Sequence, residues 1–215
     1  MKITEPFVEV SWIESGALIL KRIEAAGRTA YKSENKITDE SAIAFIKLII
    51  EKKHLSVLEH ASVSARVICD RGVSHEIVRH RIASYTQEST RYCNYSDSRF
   101  GNELTFVLPS FIRGFTDKDY LLVAWRTAMQ NAEMAYLEML KLGAKPQEAR
   151  SVLPNSLKTE IVMTMNMREW RHFFILRTAS EAHPDMQVIA KKLLLEFQSH
   201  VPVIFDDIPE AAMLG

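Results

Sequence analysis

The chain has 215 residues, of which 47% are hydrophobic, and this size and composition allow one sizeable buried core. Lysine plus arginine and aspartate plus glutamate number 27 each, so the net charge is zero and a general nucleic-acid-binding surface is not expected. The N-terminus carries Lys2, Glu5 and Glu9, and no apolar run approaches about 20 residues, which excludes a signal peptide and a membrane span. We therefore expect a soluble, cytoplasmic protein that forms a single domain over residues 1–215, with no membrane partner.

Cys69 and Cys93 lie outside any CxxC or Cys/His spacing, which argues against a zinc ribbon and a disulfide framework. No pair of histidines has the i, i+4 spacing of a helical zinc site. We therefore predict ordinary thiols in a reducing compartment and no bound metal.

The first half of the chain alternates helical and strand periods. Residues 15–31 have the spacing of an amphipathic helix, and a second helix is predicted to begin at Thr38, a good N-cap. Residues 61–69 alternate small or polar side chains with apolar ones, which predicts a strand. Ser74 is then predicted to cap a helix that carries the first residues of an arginine-rich stretch, whose remainder is predicted to be a loop.

A short strand is predicted over residues 103–108, followed by the longest helix, which starts near Asp119 and ends at Gly143. Apolar residues recur along this helix at three- and four-residue steps, which predicts core packing or a subunit interface. The predicted stripe consists of Leu121, Trp125, Ala128, Ala132, Ala135, Met139 and Leu142.

The last part of the chain contains one helical turn from Pro146, a strand over residues 158–165 and a guanidinium-rich helix over residues 166–177. Pro184 opens the final helix. Few strands among several helices predict an α+β fold, with mixed helices packed on a small, mainly antiparallel sheet.

Residues 79–92 combine three arginines and one histidine with serine and threonine hydroxyls, two tyrosines and a single carboxylate. Guanidinium groups bind phosphate bidentately and hydroxyls add neutral donors, so this stretch has the inventory of an anion site. The positive charges would repel one another unless a negative group lay among them. The composition predicts a phosphorylated ligand, and the alternative is a solvated basic helix end followed by a polar loop.

The order Arg79-His80-Arg81, seven further residues and then Ser89 resembles the signature of the flavin-dependent thymidylate synthase family. Further similarities, between about residues 54 and 187, fall in separate clusters. The resemblance implies reductive methylation of dUMP to dTMP, with 5,10-methylenetetrahydrofolate as carbon donor and FAD, reduced by NADPH, as hydride source. It also implies a homotetramer with sites at subunit junctions, and no cysteine nucleophile.

The resemblance also implies roles for individual residues. The implied dUMP-binding residues are Glu76, Arg79, Gln87, Glu88, Ser89, Thr90, Arg91, Arg150 and Arg177. The implied FAD-binding residues are Ser56, Arg79, His80, Arg81, Gln87, Asn166, Arg168 and His172. His54 falls on the folate or nicotinamide side, and Arg177, which faces the uracil in the family, is the catalytic candidate. Its guanidinium would stabilise negative charge that develops on the pyrimidine, making C5 more electron-rich.

Three positions differ from the family pattern. Glu76 stands where a glutamine is common, so an amide donor is lost there. Thr86 and His172 each stand in place of a frequent asparagine, and an imidazole still donates one hydrogen bond.

Two other classes of function remain open from the residues alone. A nucleic-acid-binding module would use the arginines with Tyr85, Tyr92 and Tyr95 to grip phosphates and stack bases, although zero net charge disfavours it. A phosphohydrolase without flavin would need a carboxylate or His/Asp cluster for a metal, and the sequence has none at a suitable spacing.

Overall fold

The computed structural model describes residues 1–209. The strands in this part of the chain are β1 (Lys2–Thr4), β2 (Phe7–Ser11), β3 (Ser62–Asp70), β4 (Ser84–Gln87), β5 (Thr105–Val107) and β6 (Lys158–Asn166). The α-helices are α1 (Gly16–Arg28), α2 (Ser41–Glu51), α3 (Arg71–Ile77), α4 (Tyr120–Lys141), α5 (Pro146–Ala149), α6 (Met167–Arg177) and α7 (Pro184–His200). Among these residues no helix is both long and apolar enough to cross a membrane.

Four strands form a mainly antiparallel sheet in the order β2-β3-β6-β4. The other two strands, β1 and β5, pair in parallel, with Lys2 opposite Thr105 and Thr4 opposite Val107. A small sheet accompanied by several helices confirms the predicted α+β class.

The chain divides into two compact units, each made of several segments. The first unit consists of Met1–Phe7, Val67–Arg79 and Thr86–Ile161. The second consists of Val8–Arg66, His80–Tyr85 and the described residues from Val162 onwards.

The core of the first unit forms around α4 and β5. Its buried side chains are Tyr95, Leu104, Phe106, Met129, Tyr136, Ala149 and Leu157. The buried residues of α4 are Leu122, Met129 and Tyr136, spaced by seven. As a core-facing stripe the prediction is wrong at its ends, because Leu121 is 59% exposed and Leu142 is 79% exposed. The alternative, that these residues face another subunit, stays a prediction. Apolar residues lie on more than one face of α4, so spacing alone did not identify the face that packs inward.

The core of the second unit is aromatic. Its rings belong to Trp170, Phe173, Phe174, Phe197 and Phe205, with centroids of contacting pairs 4.7 to 5.6 Å apart. Edge, tilted and stacked contacts of this kind add to the stabilisation that comes from burial. They join α6 to α7 and so fix the helix that carries Arg168, His172 and Arg177.

The helix α1 packs closely against the segment that leads into the site. A Cβ built on Gly27 would lie 2.6 Å from the ring of Phe45 in α2 and 2.8 Å from Cγ1 of Val57, so only glycine permits this approach. Val57 belongs to the 3-10 helix Leu55–His60, which therefore lies directly against α1.

The structure corrects two predicted helix starts. Helix α2 begins at Ser41 and not at Thr38, whose backbone N–H donates to the hydroxyl of Ser41. Helix α3 is capped by Asp70, whose carboxylate accepts from the N–H of Val73 at 2.9 Å. Ser74, the predicted cap, lies inside α3.

The start of the arginine-rich stretch also differs from its prediction. Helix α3 ends at Ile77, so Arg79 and His80 are not helical, and β4 follows where a loop was expected. The hydroxyl of Tyr85 donates to the carbonyl of His80 at 2.7 Å. If the helix continued, the carbonyl oxygen of His80 would accept a backbone hydrogen bond within the helix; here it accepts from Tyr85.

We predict that Glu24→Ala lowers the free energy of unfolding by about 3 kcal/mol, because it leaves a partly buried guanidinium without its carboxylate. The carboxylate of Glu24 is buried and accepts from Arg28 at 2.7 Å and from the hydroxyl of Ser41 at 2.8 Å. Urea denaturation followed by circular dichroism measures the change. The exposed Glu34→Ala is the control and should change stability by less than about 0.5 kcal/mol. Equal effects of the two substitutions would contradict the assignment.

Candidate functional site

One group of predicted site residues comes together in the first unit. The guanidinium of Arg91 donates to the side-chain carbonyl of Gln147 at 3.0 Å, and that of Arg150 donates to the hydroxyl of Thr90 at 3.4 Å. The hydroxyl of Ser89 accepts from the backbone N–H of Arg91 at 3.3 Å. These partners are neutral and compensate neither positive charge. The group therefore suits an anion such as phosphate.

The two residues before Ser89 have partners inside the protein. The amide of Gln87 donates to the hydroxyl of Thr159 at 3.1 Å. The carboxylate of Glu88 accepts from the hydroxyl of Tyr95 at 2.8 Å and from the ammonium of Lys158 at 2.7 Å. The side chain of Glu88 thus belongs to a largely covered network, in which its carboxylate pairs with Lys158 at the start of β6.

The second unit contains a cleft of about 470 Å³. Its lining consists of Leu55, Glu59, Ile82, Asn166, Arg168, Glu169, Arg171, His172 and Ile175. Three aliphatic side chains therefore share the cleft with two guanidinium groups, an amide, an imidazole and two carboxylates. Such a mixture is typical of a small-molecule site and suits a flat, partly apolar ligand with an anionic or hydrogen-bonding edge.

The polar side of the cleft comes from the start of α6. The side chain of Asn166 caps this helix by accepting from the N–H of Glu169 at 2.8 Å. Arg168 projects from the first turn and donates to Glu59 at 2.6 Å, with side chains 52% and 43% exposed. An exposed ion pair contributes little stability, so Arg168 can exchange this partner for a ligand phosphate at low cost.

His80 lies at the centre of a buried polar cluster in the second unit. Its side chain is 3% exposed, with Nδ1 3.4 Å from a carboxylate oxygen of Glu169. On the other side, Nε of Arg177 donates to Nε2 of His80 at 3.0 Å. Burial, followed by the charges of Arg177 and His172, lowers the pKa of His80 to about 4. The ring is therefore neutral at physiological pH.

The ligand atoms of His80, Glu169 and His172 all lie within 4.8 Å of one another, a spacing that a metal ion can use. The guanidinium of Arg177 already occupies Nε2 of His80, and its positive charge opposes a cation at this place. The geometry therefore favours an internal hydrogen-bond cluster, and the absence of a metal stays a prediction.

The remaining predicted site residues lie at or near the surface. His54 and Ser56 are exposed around the start of the 3-10 helix Leu55–His60. Arg79 and Arg81 are exposed on either side of the buried His80. Glu76 is half-buried in α3.

The structure sorts the predicted residues by unit. Most of the dUMP-binding set, including Ser89, Arg91 and Arg150, belongs to the first unit. Most of the FAD-binding set belongs to the second unit, and so does Arg177.

Sequence reasoning missed two residues that support His80. Tyr85 donates to its backbone carbonyl, and burial, followed by the charge of Glu169, raises the pKa of Tyr85 to about 12, so the hydroxyl keeps its proton. Glu169 faces its imidazole, and burial raises the pKa of this carboxyl. The available signal was the Asn-x-x-Glu spacing at the start of α6, which is typical of a helix N-terminus.

Neither cysteine has the environment of an activated nucleophile. Burial raises the pKa of the Cys69 thiol, and the same cause, followed by the charge of Glu88, raises that of Cys93. Both thiols therefore stay protonated at neutral pH, and a thiol is a poor nucleophile compared with a thiolate.

Comparison with known proteins gives consistent results over most of the chain. A flavin-dependent thymidylate synthase from Pyrococcus abyssi is 39% identical over 166 residues, which cover 77% of this chain and 66% of that protein. Proteins of the same name from Mycobacterium sp. (strain JLS) and Geobacter sulfurreducens are 36% and 34% identical, covering 93% and 90% of this chain and 84% and 83% of theirs. The family model described as thymidylate synthase complementing protein matches residues 19–203. The chain therefore belongs to the Thy1 family of thymidylate synthase complementing proteins.

Proposed function

We propose that this chain is a flavin-dependent thymidylate synthase that converts dUMP to dTMP by reductive methylation. The observation that carries the proposal is the cleft beside α6, where aliphatic walls meet Asn166, Arg168 and His172. The names of the relatives support the same activity. The proposal covers residues 1–215 as one functional domain that acts in the cytoplasm.

We assign FAD to this cleft. The aliphatic side chains suit the flat ring system, and the donors of Asn166 and His172 suit its polar edge. The exposed Arg168 would neutralise phosphate charge, and the exposed Ser56 would donate a hydrogen bond from its hydroxyl to the phosphate. The rest of the proposed FAD set is Arg79, His80, Arg81 and Gln87. When bound, FAD supplies the hydride for the reaction, with NADPH as the reductant.

We assign dUMP to the anion-binding group of the first unit. Ser89, Thr90, Arg91 and Arg150 would bind its phosphate, because they combine two guanidinium groups with hydroxyl donors. The proposed set is completed by Glu76, Arg79, Gln87, Glu88 and Arg177.

Arg177 is the proposed catalytic residue. Its guanidinium is charged at any physiological pH and would stabilise negative charge on N3 and O4 of the uracil. This makes C5 electron-rich enough to attack the one-carbon unit of 5,10-methylenetetrahydrofolate, for which the exposed His54 lines the approach. The raised pKa values of both thiols support a reaction without a cysteine nucleophile.

We further propose that four copies assemble, with sites at the junctions between subunits. Helix α4 leaves large apolar side chains exposed, among them Tyr120 at 91%, Leu121 at 59% and Met134 at 62%. Large apolar side chains that are exposed in one chain are suited to contacts between chains. Assembly would also let arginines of different chains converge on ligands that carry several phosphates.

We expect the purified protein to show flavin absorption that bleaches on anaerobic addition of NADPH in the presence of dUMP. Arg168→Gln should weaken FAD binding tenfold or more, because it removes a charge-assisted hydrogen bond worth about 1.5–3 kcal/mol. The matched control is Arg126→Gln, which removes an exposed arginine that pairs with Asp117 on the surface. A colourless protein that FAD cannot reconstitute would contradict the assignment of the cleft.

Arg177→Ala should lower the rate of dTMP formation about 10²–10³-fold while FAD remains bound, since one donor to the developing charge is lost. Single-turnover assays of dTMP, run beside flavin spectra, separate the two effects. The double variant Cys69→Ser/Cys93→Ser is the control and should keep its turnover. Near wild-type activity of Arg177→Ala, or loss of turnover in the folded cysteine variant, would show that the chemistry is assigned to the wrong residue.

Light scattering in solution should give the mass of four chains. Met134→Glu should shift the protein towards smaller species, because it places a charge on an apolar contact surface. Lys141→Glu, at the exposed end of the same helix, is the control and should leave the mass unchanged. A monomeric wild-type protein would exclude the proposed assembly.

A further inference from the structure

Glu169 is a buried carboxylate to which the proposed chemistry gives no role. It is 7% exposed and lies in the first turn of α6. Arg177 lies eight residues later on the same helix, a rise of about 12 Å. The ring of His80, which comes from the segment before β4, contacts both side chains.

The contact with Arg177 shows which nitrogen of His80 carries the proton. A guanidinium has only donors, so Nε2 of His80 must accept the hydrogen bond from Nε of Arg177. The neutral ring then carries its proton on Nδ1, which donates to the carboxylate of Glu169. This assignment holds whether Glu169 is ionised or protonated, because one of its oxygens accepts in either state.

We propose that Glu169 and His80 are positioning residues that orient the guanidinium of Arg177, an inference that rests on the proposed function. Glu169 stabilises the Nδ1–H tautomer, and that tautomer presents a lone pair to Arg177. In the other tautomer the N–H of His80 would face the N–H of Arg177, and two donors would repel each other. Without the carboxylate, Arg177 loses the contribution that His80 makes to its orientation.

The rest of the cluster holds the imidazole in place. Tyr85 fixes the backbone of His80 through its carbonyl at 2.7 Å, and the ring of Phe173 lies 5.0 Å from the imidazole centroid. Phe173 itself belongs to the aromatic core of the second unit. The position of His80 is therefore set by packing, while its tautomer is set by Glu169.

The test compares Glu169→Leu, which removes the acceptor, with Glu169→Gln, whose amide oxygen still accepts from Nδ1–H. Glu169→Leu should lower kcat about 10²-fold, as expected when a catalytic group loses its orientation, with KM for dUMP changed only a few-fold. Glu169→Gln should stay within about tenfold of wild type. Glu196→Leu, an exposed position on α7, is the matched control. Equal losses in the Leu and Gln variants, or no loss in either, would overturn the proposal.

A second measurement reads the tautomer without using activity. Nitrogen-15 spectra of histidine-labelled protein, assigned with His80→Gln, should show protonated Nδ1 and unprotonated Nε2 for His80 in the wild type. Glu169→Leu should shift this equilibrium, and Glu169→Gln should preserve it. A wild-type His80 ring protonated on Nε2 would refute the positioning role of Glu169 and His80. A wild-type protein that forms no dTMP but shows the Nδ1–H tautomer would refute the proposed function. The inference that Glu169 and His80 orient Arg177 would not be refuted by that result.

If Glu169→Leu does not fold, the proposal is tested by comparing two substitutions at His80. Glutamine has one acceptor and one donor at the end of its side chain, so His80→Gln still bridges Glu169 and Arg177. His80→Leu has neither. The proposal expects His80→Gln to retain at least tenfold more activity than His80→Leu, at equal flavin content. Equal activities would overturn it.

Discussion

The cap of Asn166 on α6 is the contact on which the geometry of the candidate site depends. It fixes where the helix begins, and the period of 3.6 residues then determines which side chains share each face. With this start, Trp170, Phe173 and Phe174 face the aromatic core. Arg168 lies at the cleft, and Glu169 and Arg177 meet His80.

The charged groups around the two candidate ligand sites differ in how firmly they are held. Arg168 pairs with Glu59 at the surface, where water competes and the pair contributes little to stability. By contrast, Lys158 and Glu88 are mostly covered, and Arg171 is a buried cation that pairs with Asp207 through two contacts. Removing the partner of a covered group such as Lys158 or Arg171 leaves a charge out of water and costs about 3–5 kcal/mol. The proposed ligand-binding Arg168 is therefore exposed to solvent. Lys158, which pairs with Glu88, and Arg171, which pairs with Asp207 after α7, are largely covered.

Much of the fold could be predicted from the sequence, because α1, α6, β3 and β6 have strong local periods. The strand β4 could not, since its four residues form a strand only through pairing in the sheet. The candidate site shows the same limit. A fixed spacing near Ser89 identified the arginines, whereas the contact between His80 and Glu169 joins residues 89 positions apart. Such a pair has no local signal, because tertiary packing alone brings its members together.

The chemistry of histidine explains why an imidazole suits the place between Glu169 and Arg177. It must donate on one side and accept on the other, and a neutral ring does both with a fixed geometry. Protonation would turn the acceptor towards Arg177 into a donor and set two positive charges against each other. Burial and the charge of Arg177 lower the pKa of His80 to about 4, so the neutral form persists far below physiological pH. Arg177 thus helps to keep His80 neutral, and the neutral ring is the only charge state that can accept the hydrogen bond from Arg177.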